Sequence, residues 1–208
     1  MQFLRYVKIC GITRVEDALL AVSAGASAIG LNFVPTSRRR VDEDTALRIA
    51  DAVRGKAELV AVVADRDTAE LAGLRHRLGL DFLQLHGSEL PSALESLLPY
   101  AFKAARIARA PDVDRADEFR GERLLLDAYV PGELGGTGTA FDWELVVGLA
   151  RRRNVVLAGG LTKDNVADAV RIVGPWGVDV ASGVESEPGI KDAALVTAFI
   201  RAARGSES

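Results

Sequence analysis

The chain has 208 residues, enough for one domain, with 49% hydrophobic and 26% charged residues, a balance that permits a large core and excludes a disordered polymer. A formal charge of -3 and a pI near 5.5 argue against nucleic acid as the main partner, because phosphate-backbone binding needs clustered Lys and Arg. One cysteine excludes an internal disulfide framework and a cysteine-based zinc site.

Taken in order, short apolar runs rich in β-branched residues alternate with amphipathic segments of helical period. The spacing predicts strands over Arg5–Cys10, Ala28–Val34, Glu58–Ala64, Asp81–His86, Phe102–Ile107, Arg123–Asp127, Asn154–Ala158 and Val178–Ser182. Helices are expected over Val15–Ala24, Asp44–Arg54, Thr68–Leu78, Trp143–Arg152, Lys163–Val173 and Asp192–Ala203, with the weakest helical pattern around Pro111–Phe119. Thr162 is read as the N-cap of the helix that follows it. Eight strand–helix units in 208 residues, about 26 each, fit an α/β fold of one domain, a closed (β/α)8 TIM barrel. An open doubly wound sheet also alternates this way, but the first strand lacks a Gly-x-Gly-x-x-Gly turn and the count is eight. The barrel is expected over residues 1–204, with a frayed tail at 205–208. MQFLRYVKIC carries no signal-peptide apolar run, and no stretch reaches the length of a membrane span. A cytoplasmic protein with no membrane partner is expected.

Residues two apart share one face of a strand, and sites in such barrels lie at the strands' C-terminal ends. On that rule Lys8 and Cys10 share a face, as do Gln84 and His86; Asn32 and Asp127 come late in their strands, and Asp179 shares a face with Ala181. Taken singly each has a plainer reading: a lone cysteine as core filler, a terminal Asp as a turn cap, His86 as a packed residue, Lys8 as half of an interior ion pair. The glycine-rich segments shift the balance. PGELGGTGTAFDW follows strand six, LAGGLT strand seven and ASGVES strand eight. Glycines let backbone amides converge on an anion, and the last two loops of a barrel commonly hold a phosphate.

These segments resemble the phosphoribosylanthranilate isomerase family. The resemblance rests on KICGIT at 8–13, FVPTSRRRV at 33–41, DFLQLHGSE at 81–89, FKAARI at 102–107, LLLDAYVPGELGGTGTAFDW at 124–143, LAGGLTKDNV at 157–166 and VDVASGVESEPGIKD at 178–192, and spans nearly the whole chain. It implies a ribulose-phosphate-binding barrel that performs an Amadori rearrangement on a small phosphoribosyl substrate, with no metal and no organic cofactor. By resemblance Cys10 is the general base and Asp127 the general acid. Arg39 binds the anthranilate carboxylate, and His86 and Asp179 contact substrate. Gly159, Gly160, Ser182 and Gly183 hold the phosphate. The run SRRRV lacks the Pro or Lys and the aromatic that the family often places around this arginine, so Arg38 and Arg40 stay in contention. Ala181 stands where a serine is frequent.

Cys10 acts as a base only as thiolate, and Lys8, two residues along the same face, is expected to lower its pKa. His86 is a rival base. Other phosphoribosyl-substrate barrels fit less well: the indole-3-glycerol-phosphate synthase pattern needs a Lys acid with Glu partners, and the histidine-pathway aminoaldose isomerase typically has Asp at the position of Cys10. A non-catalytic phosphate-ligand sensor would need the glycine loops without Cys10 and Asp127 together. The outward helix faces show no large apolar patch and leave monomer and homodimer open.

Overall fold

The computed structural model describes residues 4–127 and 142–205. Eight parallel strands, β1 (Tyr6–Cys10), β2 (Ala28–Asn32), β3 (Glu58–Val63), β4 (Phe82–Leu85), β5 (Ala101–Arg106), β6 (Arg123–Asp127), β7 (Asn154–Ala158) and β8 (Gly177–Val180), close into a barrel in sequence order. Helices α1 (Val15–Ser23), α2 (Glu43–Val53), α3 (Thr68–Leu78), α4 (Pro91–Glu95), α5 (Ala110–Asp117), α6 (Glu144–Ala150), α7 (Val166–Val173) and α8 (Ala193–Arg204) lie between and after them. A 3₁₀ turn at Ser182–Val184 and a two-strand hairpin, β9 (Glu185–Glu187) with β10 (Ile190–Lys191), separate β8 from α8.

The strand period splits the core in two. Alternate residues point outward to a continuous layer between sheet and helices, including Ile9, Ile29, Leu83, Leu126 and Val178. The others point inward, where Tyr6, Ala28, Val60, Phe102, Leu125 and Val156 fill the barrel. The helices dock by 3.6-residue stripes: α2 buries Ala46, Ile49, Ala50 and Val53, and α8 buries Val196, Phe199, Ile200 and Ala203. Aspartates start several helices. Asp42 accepts from the Thr45 amide, Asp67 from Ala69 and Glu70, and Asp192 from Leu195, each cap contributing about 1 kcal/mol. The weakly patterned α5 is held by Asp112, whose carboxylate accepts from the Ala108 and Arg109 amides.

Several boundaries differ from the sequence reading. β2 stops at Asn32 because its side chain accepts from the Val34 amide at 2.9 Å and turns the chain. β8 stops at Val180, where the chain passes into the 3₁₀ turn. Thr162 does not cap α7. The helix starts four residues later; Thr162 Oγ1 does accept from the Asp164 amide at 3.3 Å, but in a turn ahead of the helix that Asn165 closes, its Oδ1 accepting from the Thr162 amide at 2.8 Å. Trp143 precedes α6 rather than opening it. Most of the glycine-rich segment after β6 lies outside the described residues. Among the described residues, no helix is long and apolar enough to cross a membrane.

Candidate active site

At the C-terminal ends of the strands, the inward side chains give way to a cavity of about 450 Å³. The nine residues to which the resemblance gives a role all line it: Cys10, Arg39, His86, Asp127, Gly159, Gly160, Asp179, Ser182 and Gly183. They come from six different strand ends, so only barrel closure brings them together.

Cys10 ends β1, opposite Gly30 in the β1–β2 register. A Cβ on Gly30 would lie 2.8 Å from Cys10 Sγ and 3.0 Å from Lys8 Cε, so the glycine makes the room those two inward side chains occupy. Lys8 is fully buried one layer below and donates to Asp179 Oδ1 at 2.9 Å. Burial works against the Lys8 charge, but Asp179, with Cys10 adding to it, holds the ammonium above its ordinary pKa. The thiol behaves contrary to the sequence expectation. Burial pushes the Cys10 pKa above the ordinary thiol value; Lys8 pulls it down without overcoming that effect, and Asp179 pushes it up. Desolvation is the largest effect, and the Asp179 carboxylate, 2.9 Å from the Lys8 ammonium, offsets part of that cation's pull.

Asp127 ends β6, and His86 lies one residue past β4. His86 Nε2 is 3.7 Å from Asp127 Oδ2, too long for a direct hydrogen bond but close enough to face the same ligand. Its other ring nitrogen meets Gln84 Nε2 at 3.0 Å, and the amide oxygen of Gln84 is buried without a partner among the described residues. Behind His86 the loop is fixed by charge. Lys103 donates to the Leu85 and Gly87 carbonyls and to Glu89 Oε2, and Glu89 also accepts from the Asp65 and Gly87 amides. Gly87 is forced by packing, since a Cβ there would sit 2.5 Å from the Asp65 carboxylate.

After β2, the segment carrying the three arginines returns to the barrel, where the Val41 amide donates to the Asn32 carbonyl at 2.9 Å. Arg38 and Arg40 are exposed, whereas Arg39 is half-buried and reaches the cavity. Its stem crosses Gly11, where a Cβ would lie 2.3 Å from Arg39 Cδ. Arg39 Nε and Nη2 both donate to Glu185, at 2.7 and 2.6 Å.

Across the mouth, Gly159 and Gly160 follow β7 with φ of 92° and 61°, a region that side chains rarely adopt. Gly183 sits in the 3₁₀ turn after β8, where a Cβ would be 2.0 Å from the Leu161 carbonyl oxygen. The loops after β7 and β8 are thus in backbone contact. Convergent glycine backbone at this end of a barrel suits an anion.

The sequence reading placed no role on Gln84, Lys103, Glu89, Glu185 or Lys191. Gln84 and His86 had been seen to share a face, and Glu185 and Lys191 lie within a quoted motif. The contact of Glu185 with Arg39, 146 positions away, gave no local signal.

A family model described as "N-(5'phosphoribosyl)anthranilate (PRA) isomerase" matches residues 7–202. A relative from Roseiflexus sp. (strain RS-1), named N-(5'-phosphoribosyl)anthranilate isomerase, is 46% identical over 210 residues, which cover 96% of this chain and 98% of the relative. One of the same name from Pelobacter propionicus is 42% identical, covering 97% of each. Among solved structures, phosphoribosyl anthranilate isomerase from Thermotoga maritima is similar with a TM-score of 0.90 and 37% identity, over 97% of this chain and 99% of that one. Another phosphoribosyl anthranilate isomerase structure, in complex with reduced 1-(o-carboxyphenylamino)-1-deoxyribulose 5-phosphate, has a TM-score of 0.86 and 35% identity, over 97% and 99%.

Proposed function

The chain belongs to the N-(5'-phosphoribosyl)anthranilate isomerase family, and we infer from that premise and from the cavity that it converts N-(5-phosphoribosyl)anthranilate into 1-(2-carboxyphenylamino)-1-deoxyribulose 5-phosphate in tryptophan biosynthesis. The observation that carries the residue assignments is a thiol and a carboxyl, Cys10 and Asp127, lining one cavity that also meets two glycine-rich loops.

The reaction moves hydrogen within one molecule, so its proton traffic balances without an oxidant. Asp127, as the acid, gives a proton to the furanose ring oxygen as the C1–O bond breaks and the nitrogen lone pair forms a C1–N iminium. Cys10, as thiolate, takes the C2 proton, which the adjacent iminium has made acidic. The resulting enolamine gains a proton at C1 and loses the one on its C2 oxygen, leaving the ketone. A positioned acid or base typically contributes a factor of about 10²–10⁴.

Arg39 receives the anthranilate carboxylate, a role for which Arg38 and Arg40 are less suited because neither lines the cavity. His86 and Asp179 flank the sugar. Gly159, Gly160, Ser182 and Gly183 take the phosphate on the opposite rim. A reducing cytoplasm suits a chain whose single thiol must stay free.

The test is to generate the substrate in place from anthranilate and ribose 5-phosphate and follow loss of its fluorescence. The intact chain should accelerate the decay, whereas decay at the uncatalysed rate would leave a ligand-binding barrel without this activity.

A further inference from the structure

We propose that Glu185 is a positioning residue for Arg39: it fixes one edge of the guanidinium so that the other edge alone is offered to the carboxylate of the substrate. The proposal rests on the reading of Arg39 as the ligand of that carboxylate.

A guanidinium has two forks that can each grip a carboxylate. Glu185 takes the inner one, accepting from Nε at 2.7 Å and from Nη2 at 2.6 Å. The outer fork, Nη1 with the second hydrogen of Nη2, is the one this contact leaves over. The stem is fixed too, because it lies across Gly11, which has φ of 71° and no space for a Cβ. The Arg39 amide donates to Ser37 Oγ at 3.1 Å, so backbone, stem and inner fork are all held.

Glu185 is itself anchored. Its side chain is 5% exposed, and it accepts from Lys191 Nζ at 2.9 Å and from the Gly189 amide at 3.2 Å. Lys191 Nζ also donates to the Ala181 carbonyl at 3.0 Å, and the Lys191 amide donates to Asp17 on α1. The β9–β10 hairpin therefore works as a bracket that braces the arginine of a distant loop.

The alternative is that Glu185 imitates the ligand and must be displaced. Charge argues against it. One carboxylate faces two cations, Arg39 and Lys191, so the cluster keeps a net positive charge for an incoming anion. Burial acts against ionised Glu185, but its bonds to Arg39 and Lys191 outweigh it and hold the carboxyl below its ordinary pKa. A fixed fork binds at less entropic cost than a mobile one.

The experiment compares KM for two substrates generated in place, one from anthranilate and one from aniline, which lacks the carboxylate, each with ribose 5-phosphate. KM and the ratio between substrates do not depend on how much of a variant is folded. For Glu185→Gln, KM for the anthranilate substrate should rise about 10-fold, kcat should fall less, and KM for the aniline substrate should stay within about twofold. Arg39→Lys, which keeps the charge without the fork, should show the same split. An unchanged or lowered anthranilate KM in Glu185→Gln, or an equal rise for both substrates, overturns the proposal alone. If the intact protein shows the same KM for both substrates, the reading of Arg39 fails and takes this proposal with it.

Discussion

Lys8 and Asp179 meet at 2.9 Å across the β1–β8 seam, directly paired in register and one layer beneath Cys10. The lysine is thereby a counterion first and a thiol activator second. Since burial dominates and raises the thiol pKa while Lys8 opposes that rise, removing the lysine raises it further. Loss of Lys8 also exposes Cys10 to unpaired Asp179, which acts in the same direction. A base must be deprotonated to work, so the limb of kcat/KM governed by the thiol should lie above the ordinary thiol range and move to still higher pH in Lys8→Met. Titrating Cys10 reactivity against pH in both proteins checks this, and coincident curves would show that the lysine does not reach the thiol.

The two proposed proton carriers should fail independently. Cys10→Ser substitutes a much weaker base, and Asp127→Asn cannot supply the ring-opening proton. Each should lose at least about 10²-fold in kcat while unfolding at nearly the native temperature, because both side chains sit at the cavity rather than in either apolar layer. Steady-state rates paired with thermal melts decide the matter. Near-native turnover in either variant removes that residue from the chemistry and directs attention to His86.

The barrel was legible because it is built from local pattern: eight apolar runs, each a strand, and all but the fourth followed by a readable helix-forming stretch. Strand parity also carried the inward set, putting Lys8 with Cys10 and Gln84 with His86. Legibility stopped where a partner lies far along the chain. Glu185 is 146 positions from Arg39, and nothing in the spacing of SGVE announces that contact. The downward pull of Lys8 on Cys10 was readable from strand parity, but not that burial, with the carboxylate of Asp179 adding to it from 171 positions beyond Lys8, outweighs that pull. Short elements escaped too, since α4 and the β9–β10 hairpin span too few residues to show a period.

Of the three consecutive arginines, one should matter for binding. Arg39 lines the cavity, and its neighbours face solvent. Arg39→Ala should raise KM by about 10-fold or more with a smaller change in kcat, because a carboxylate contact kept from ground state to transition state serves binding. Arg38→Ala and Arg40→Ala should leave KM within about twofold. A KM effect at either neighbour, with none at Arg39, would reassign the clamp.

Glycines on the proposed phosphate rim should differ sharply in their tolerance of alanine. At Gly183 a methyl group would press 2.0 Å from the Leu161 carbonyl oxygen, so the loops after β7 and β8 must separate. At Gly160 nothing lies within 4 Å, and the cost is the backbone alone, φ of 61°, about 1 kcal/mol. Inhibition by inorganic phosphate gives a readout independent of turnover. Gly183→Ala should weaken it at least about 10-fold and Gly160→Ala much less. Equal effects would mean that the loop contact does not shape the anion site.

The opposite end of the barrel should govern stability without touching kinetics. Arg123 points inward at the start of β6, its side chain 4% exposed, with Cζ 4.2 Å from the Phe82 ring centre and 5.0 Å from that of Trp176. It donates to Glu58 at 2.7 Å, and none of these residues lines the cavity. The arrangement plugs the barrel floor with a cation stacked among aromatic rings. Arg123→Met keeps much of the volume but removes the charge and leaves Glu58 alone. Because Glu58 retains a third of its surface to water, the cost should be about 2–3 kcal/mol, below that of breaking a fully buried pair. Denaturant melts should register that loss while KM stays within about twofold, as expected of a residue at the stability face of such a barrel. A shifted KM with an unchanged melt would mean that the floor communicates with the mouth through the Tyr6, Lys8 and Cys10 column of β1.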